Sequence, residues 1–219
     1  MNFQKVYEYR LKGTSPGKKV AVWYHITRHI ESFMPNAEKI LDPCAGNCEF
    51  INQVNALEAW AVDQEGDFIK SAKPNVKAIL GDIFEVPLPE NYFGGVFVSN
   101  FLEHLDSPET AAKFLAAMRK TLAPKGRIVV MGPNFKYCAK GYFDCCDHQL
   151  VLTHRSLEEL LYSEGFEIIK TYPKYLPYSF RGRLSNWPPL AGLYLKFPLA
   201  WRFFGKQFLV IAEKREGFS

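Results

Sequence analysis

Short apolar runs alternate with helical patterns along most of this 219-residue chain. Polar or glycine-containing turns bound each run, and the segments between runs repeat apolar positions at helical spacing. Strands that alternate with helices predict a parallel sheet with helices on both faces. Seven runs therefore predict an α/β fold with a seven-stranded, mostly parallel sheet; they are KILD (39–42), AWAVD (59–63), VKAIL (76–80), GGVFVSN (94–100), RIVVMG (127–132), FEIIKTY (166–172) and QFLVIA (207–212).

Five helices are predicted around these strands, at 20–34, from about Glu49, at 68–72, at 108–122 and at 156–163. In the last of them Ser156 is the expected N-cap, Glu159 occupies the capping-box position and Gly165 ends the helix. The helix at 108–122 has the clearest apolar stripe, formed by Ala111, Phe114, Leu115, Met118 and Leu122.

The length and the element order predict one large domain with two additions. Residues 1–35 form an N-terminal helical segment, and residues 36–172 with 207–213 form the sheet domain. Residues 173–206 lie between the last two strands and are rich in aromatic and basic residues. They are expected to form a cover or an acceptor-site insertion.

Charge is unevenly distributed along the chain. Residues 1–35 carry six Lys/Arg against two Asp/Glu, residues 36–172 carry 13 against 19, and residues 173–219 carry eight against two. An acidic centre between basic ends is not the uniform positive field of a nucleic-acid-binding protein, so no nucleic-acid partner is expected. Five cysteines without framework spacing favour a reducing compartment. Without a signal sequence or a long apolar run, a cytoplasmic protein is expected.

The stretch ILDPCAGNCEF (40–50) joins the first strand to the next element at the place where α/β folds bind nucleotide-like cofactors. It lacks the G-x-G-x-x-G pattern of dinucleotide sites, and no P-loop lysine follows it. Only Gly46 falls in a glycine slot. Phosphate binding is therefore not expected at this loop.

The same stretch resembles the first motif, D-x-G-x-G-x-G, of class I S-adenosylmethionine-dependent methyltransferases, in particular their type 11 group. Four further segments agree in order and spacing: Asp63 at the second strand end, Gly81-Asp82-Ile83, SNFLEHL (99–105), and LAPKGRIVVMGPN (122–134). The resemblance covers about residues 36–172. It implies a Rossmann-like fold, methyltransferase activity and S-adenosylmethionine as the cofactor.

The resemblance also implies the cofactor-binding residues. Asp42 is expected to contact the amino group, Asp63 the ribose hydroxyls, and Asp82 with the backbone of Ile83 the adenine. Asn100 and Phe101 are expected to line the methionine side. The remaining expected contacts are Cys44, Gly46 and Gln64.

The two cysteines of the loop have alternative interpretations. A small side chain in a glycine slot is tolerable where φ is negative, whereas a positive φ would strain a cysteine. Zinc would need two more ligands at suitable spacing, and Cys145-Cys146 cannot easily both face one ion. Cys44 and Cys48 are therefore expected to be small loop residues, and no metal site is predicted.

Methyl transfer depends on alignment of the acceptor with the cofactor, and a hydroxyl acceptor also needs a base. The candidates are His148, which Asp147 could orient, and His104. Glu103-His104 resembles part of the E-x-x-E-H metal motif of ubiquinone-pathway O-methyltransferases, but Asn100 replaces its first glutamate. His25 and His29, four residues apart on the first predicted helix, are expected to form a polar face.

Residues 173–219 contain 11 aromatic residues. The segment 173–206 is interpreted as a lid over the acceptor site, as an interfacial segment that contacts the inner face of a membrane, or as core and dimer surface. GPNFKYCAKGYFDCCDHQLVLTHRSL (132–157), LPYSFRGRL and FGKQFLVIAEK resemble a bacterial methyltransferase group found with cell-surface polysaccharide genes. That resemblance implies a sugar or glycan-precursor acceptor and polysaccharide biosynthesis. A catalytically silent scaffold module is the alternative.

Overall fold

A computed structural model describes residues 3–10, 12, 16–35, 37–178 and 188–218. Seven strands form one sheet: β1 Lys39–Asp42, β2 Glu58–Asp63, β3 Val76–Leu80, β4 Phe93–Ser99, β5 Leu122–Pro133, β6 Phe166–Tyr172 and β7 Gln207–Lys214. The α-helices of the described residues are α1 Phe3–Arg10, α2 Pro16–Glu31, α3 Gly66–Ile69, α4 Pro108–Thr121, α5 Phe135–Tyr142, α6 His154–Ser163, α7 Pro188–Lys196 and α8 Pro198–Phe204. The resemblance motif LPYSFRGRL runs into residues outside the described ones.

The sheet has the order β3-β2-β1-β4-β5-β7-β6. β7 pairs antiparallel with both β5 and β6, and the other pairings are parallel. The predicted fold class is confirmed. Strand order reverses between β1 and β4, and ligands of open α/β sheets bind beyond the carboxyl ends of the strands at such a switch point.

Helices cover both faces of the sheet with separate apolar cores. One core combines side chains of α2, α3, α7 and α8, such as Ile26 and Trp201, with alternate strand positions. The other contains α4 and α6. All five apolar positions of the stripe predicted at 108–122 are buried; four lie in α4, and Leu122 is the first residue of β5. No helix among the described residues has both the length and the apolar character needed to cross a bilayer.

Two local predictions were wrong. No α-helix follows Glu49, because the chain forms only a 3₁₀ turn, Ile51–Gln53, before β2. Asn52 instead bonds to the loop after α3, where its Oδ1 accepts from the Lys73 N–H at 2.7 Å. Helix α6 begins at His154 with Thr153 as its N-cap, and Ser156 takes the third helical position of a capping box. Thr and Ser can each accept from the other's backbone N–H, so the sequence pattern did not decide which one caps.

Candidate functional site

The loop after β1 folds back onto the end of β2. The Ala45 N–H donates to the Val62 carbonyl at 3.0 Å, and the Gly46 N–H donates to Asp63 Oδ2 at 2.7 Å. Gly46 has φ of +50°, which a side chain rarely adopts. A Cβ added there would meet no atom within 4 Å, so the backbone of Gly46 borders open space beside the strand ends.

Cys48 also adopts a left-handed backbone, with φ of +58°. The condition under which a cysteine is tolerable in a glycine slot, a negative φ, is therefore not met at Cys48. This conformation costs about 1–2 kcal/mol for an L-residue. Its fully buried side chain packs in the core under the loop, and burial raises the pKa of its thiol to about 12. Burial and the carboxylate of Asp42 raise the pKa of the Cys44 thiol as well.

Two carboxylates, Asp42 and Asp63, lie at the ends of neighbouring strands. Asp42 is 3% exposed, and burial raises its pKa well above the ordinary value, with a further rise caused by Asp63. Burial also raises the pKa of Asp63, although N–H groups of Glu65 and Gly46 bond to its ionised form. Neither acid forms an ion pair with a cation in the described part of the chain. The pair therefore favours a ligand that brings positive charge or hydrogen-bond donors.

The loop after β3 carries Asp82 and Ile83. Asp82 is exposed, and its Oδ1 accepts from the Phe84 N–H at 3.0 Å, which fixes the turn. The Gly81 N–H donates to the Asp63 carbonyl at 3.0 Å, so this turn lies beside the end of β2. Ile83 is half-buried against the α4 core, and Gln64 is exposed.

Asn100 lies directly after β4 with φ of +50°. Its N–H donates to the Met131 carbonyl at 2.8 Å, and its Nδ2 donates to Ser99 Oγ at 3.1 Å. Phe101 packs on Phe114 with ring centroids 4.9 Å apart. Left-handed non-glycine residues are thus present on both loops that flank the switch point, where such strain is typical of functional sites.

A second polar cluster contains His104, Asp147 and His148. His104 Nδ1 lies 3.0 Å from the backbone oxygen of Asp147 and 3.5 Å from its carboxylate. An Nδ1–H that donates to this oxygen leaves Nε2 as the proton acceptor of a neutral ring. Asp147, expected to orient His148, has a ligand atom within 4.8 Å of a ring nitrogen of His148, and its carboxylate lies closer to His104, at 3.5 Å.

Arg10 of α1 forms an ion pair with Asp147. Although burial opposes ionisation, the Arg10 hydrogen bond and His104 lower the pKa of Asp147. Arg10 was not predicted as part of this cluster, since a contact across 137 residues leaves no local signal in the sequence. The ion pair fixes α1 beside the histidines.

His148 is 9% exposed, and its Nδ1 has no hydrogen-bond partner among the described residues. Its ring lies 5.1 Å from that of His104 and 4.7 Å from that of Tyr142. Burial, with a further contribution from His104, lowers the pKa of His148 to about 4. The imidazole is therefore neutral at physiological pH.

Two overlapping groups of potential metal-ligand atoms are present here. One group consists of Glu103, His104 and His148, and the other of Cys145, Asp147 and His148. The potential ligand atoms of each group lie within 4.8 Å of one another. Glu103 is buried, which raises the pKa of its carboxyl. Its carbonyl accepts from Gln149 and Leu150, so it also fixes the loop that carries His148.

The segment after β6 borders the same cluster. Tyr178 Oη lies 3.3 Å from the Tyr142 carbonyl and 3.8 Å from Cys145 Sγ. Tyr175 Oη is 2.9 Å from His29 Nδ1, and α7 packs on α2 near His25. His25 and His29, the histidines of α2, therefore take part in the packing between α2 and the 173–206 segment.

Residues 41–130 match a family model described as a methyltransferase domain. The matched span begins in β1 and ends in β5, so it contains the loop of Gly46, the acid pair and His104. It covers less than half of the chain. The comparison with curated proteins gives no match.

Among solved structures, the chain is similar to a SAM-dependent methyltransferase from Archaeoglobus fulgidus, with TM-score 0.71 and 18% identity over 97% of this chain and 100% of that chain. An S-adenosylmethionine-dependent methyltransferase from Mesorhizobium loti has TM-score 0.61 and 15% identity, over 84% and 95%. The (4+2)-cyclase SpnF has TM-score 0.65 and 14% identity, over 89% and 81%. These likenesses show a methyltransferase-type fold, and the cyclase shows that the fold also carries other chemistry.

Proposed function

We propose that the protein is an S-adenosylmethionine-dependent methyltransferase that methylates a hydroxyl of a sugar, a glycan precursor or another small molecule. The observation that carries the proposal is the buried pair Asp42 and Asp63 beside the open space at Gly46. Two acids that pair with no cation of the described residues favour a ligand that is itself cationic. S-adenosylmethionine carries an ammonium and a sulfonium, and it has no phosphate that would require a glycine-rich loop.

The residues present fit this cofactor. Asp42 would hold the ammonium and Asp63 the ribose hydroxyls, while the bare backbone of Gly46 leaves room for close approach. Asp82 and the Ile83 backbone would meet the adenine, and Asn100 with Phe101 would line the methionine side. Cys44 and Gln64 would complete the contacts. When bound, the cofactor supplies a methyl group on a cationic sulfur.

The histidine cluster would serve the acceptor. We assign the proton acceptor to His104 Nε2, because the backbone oxygen of Asp147 lies 3.0 Å from Nδ1 and orients the ring. His148 would remain neutral and pack beside the ring of His104. Tyr142 and Tyr178 would restrict water around it. Asp147 is a positioning residue in this scheme, since it acts through His104.

Calorimetric titration with S-adenosylmethionine and S-adenosylhomocysteine tests the proposal. We expect binding of both in the micromolar range, with Gly46→Val as a non-binding control whose fold is checked by circular dichroism. A folded wild-type chain that gives no heat with either compound would contradict the proposal and favour the scaffold alternative. Transfer of labelled methyl from the cofactor to candidate sugars would then identify the acceptor.

A further inference from the structure

Five large apolar side chains project from α7 and α8 into solvent. Leu193, Phe197, Leu199, Phe203 and Phe204, here called the aromatic ridge, are 54%, 58%, 70%, 72% and 63% exposed. Single exposed apolar residues are ordinary on protein surfaces, but five between Leu193 and Phe204 indicate an interaction surface.

The helices that carry the ridge are firmly anchored on their inner side. Tyr194, Leu195 and Trp201 are buried against the sheet and α2. The Tyr194 hydroxyl donates to the Tyr175 carbonyl at 2.6 Å, and Trp201 Nε1–H donates to the Tyr194 carbonyl at 2.8 Å. The inward residues therefore hold both helices in place, and the ridge residues lie on the outer side of these helices.

Basic side chains accompany the ridge without acidic ones. Lys196, Arg202 and Lys206 are exposed beside it. The chain contains no Asp or Glu from Pro173 to Ala212. Apolar side chains at the level of lipid headgroups, with cations around them, are the features of an interfacial segment on an anionic membrane.

The segment that carries the ridge is joined to the same edge of the sheet as the candidate site. β6 ends at Tyr172 and the antiparallel β7 begins at Gln207, so the segment between them leaves and re-enters at the carboxyl edge of the parallel strands. An open groove of about 410 Å³ lies beside α8, with Lys174 and Arg202 in its lining; the other lining residues are Tyr137, Tyr172, Pro173, Pro198 and Trp201. The segment that carries the ridge therefore begins and ends at the edge where the histidine cluster lies.

We propose that the aromatic ridge docks the protein peripherally on an anionic lipid surface. A second copy of the chain fits less well, since a two-fold contact would bring two copies of this cationic face together, and residues 173–212 supply no acid to pair them. If the methyltransferase activity proposed above is correct, docking would favour an acceptor carried at the membrane surface.

The test is co-sedimentation of the full-length protein with phosphatidylcholine vesicles that contain or lack phosphatidylglycerol. We expect binding to the anionic vesicles that weakens with added salt, and much weaker binding to the neutral ones. The triple variant Lys196→Gln/Arg202→Gln/Lys206→Gln should lower the partition coefficient on the order of 100-fold. The double variant Phe203→Ser/Phe204→Ser should abolish pelleting on both kinds of vesicle.

The matched control is Leu57→Ser, which removes an equally exposed apolar residue just before β2, at the opposite edge of the sheet. It should bind vesicles as the wild type does.

Leu199→Ser replaces the double variant if the latter does not fold, as judged by thermal unfolding. Absence of wild-type binding to anionic vesicles, or equal binding by the ridge variants, would overturn the proposal. A ridge-dependent dimer in light scattering, without lipid binding, would also overturn it. Vesicle binding requires no methyl transfer, so this result is independent of the cofactor titration.

Discussion

Asp42→Asn should stabilise the protein without ligand while it weakens cofactor binding. The Asp42 carboxyl is almost completely buried, has Asp63 as its neighbour and forms no ion pair with another described residue. Its pKa is raised by burial, so its ionised form destabilises the folded state. The amide has the same size and can still accept the Cys44 N–H bond, but it carries no charge.

The expected gain follows from the cost of a buried, incompletely compensated polar group, about 1–3 kcal/mol. For a chain of this size each kcal/mol raises the melting temperature by about 2–4 °C. The variant should therefore melt higher than the wild type at pH 8. The difference should shrink as the pH falls, because a carboxyl with a raised folded pKa stops destabilising the fold once it is protonated.

Scanning calorimetry at pH 8 and at pH 5, with and without S-adenosylmethionine, measures both effects. Added cofactor should raise the melting temperature of the wild type more than that of the variant. Glu167→Gln, which neutralises an exposed acid on β6, is the control and should change neither value. A variant that melts below the wild type at pH 8 would refute the view that Asp42 is an unfavourable charge retained for a cationic ligand.

Four further results are expected. Asp63→Ala should weaken cofactor binding by about 1.5–3 kcal/mol in calorimetric titration, the range for hydrogen bonds to a charged group; unchanged affinity would mean that the carboxylate only ties the Gly46 loop to β2. Cys48→Gly should preserve the affinity, because it removes left-handed strain without removing a contact to the open space, and a loss would show that the thiol itself shapes the site. His104→Gln should lower kcat about 10²–10⁴-fold with the cofactor Kd unchanged, whereas Asp147→Asn should lower kcat less and shift its pH profile. Dialysis against a chelator should leave activity unchanged, and recovery only with added divalent cation would instead assign the His104 and His148 cluster to a metal.

The sequence alone was sufficient to predict the strands whose apolar pattern is complete within a few residues. The strands KILD, VKAIL and FEIIKTY begin and end as their apolar patterns predicted, and Asp63 ends its strand as expected. These features depend on the alternation of apolar and polar positions, which any short window of the chain contains. The roles assigned to Asp42, Asp63 and Asp82 toward a cofactor remain predictions.

Helix boundaries and loop conformations were less well determined. Nothing in CAGNC distinguishes a cysteine at negative φ from one at +58°, because the loop takes its shape from bonds to β2, which follows later in the chain. The helix predicted after Glu49 does not form for the same reason, since Asn52 bonds to Lys73, which also follows later in the chain. Backbone propensity is a weak preference that tertiary contacts override.

Only the tertiary structure decided which distant groups meet. The contacts of Asp147 with Arg10 and His104, and the side of α8 that faces outward, depend on how the fold brings remote segments together. The physical reason is that the spacing of apolar positions shows which residues share one face of a helix or strand. What that face contacts is decided by the packing of whole elements. A surface that no other described element covers, such as the aromatic ridge, can be identified only once the packing of the other elements is known.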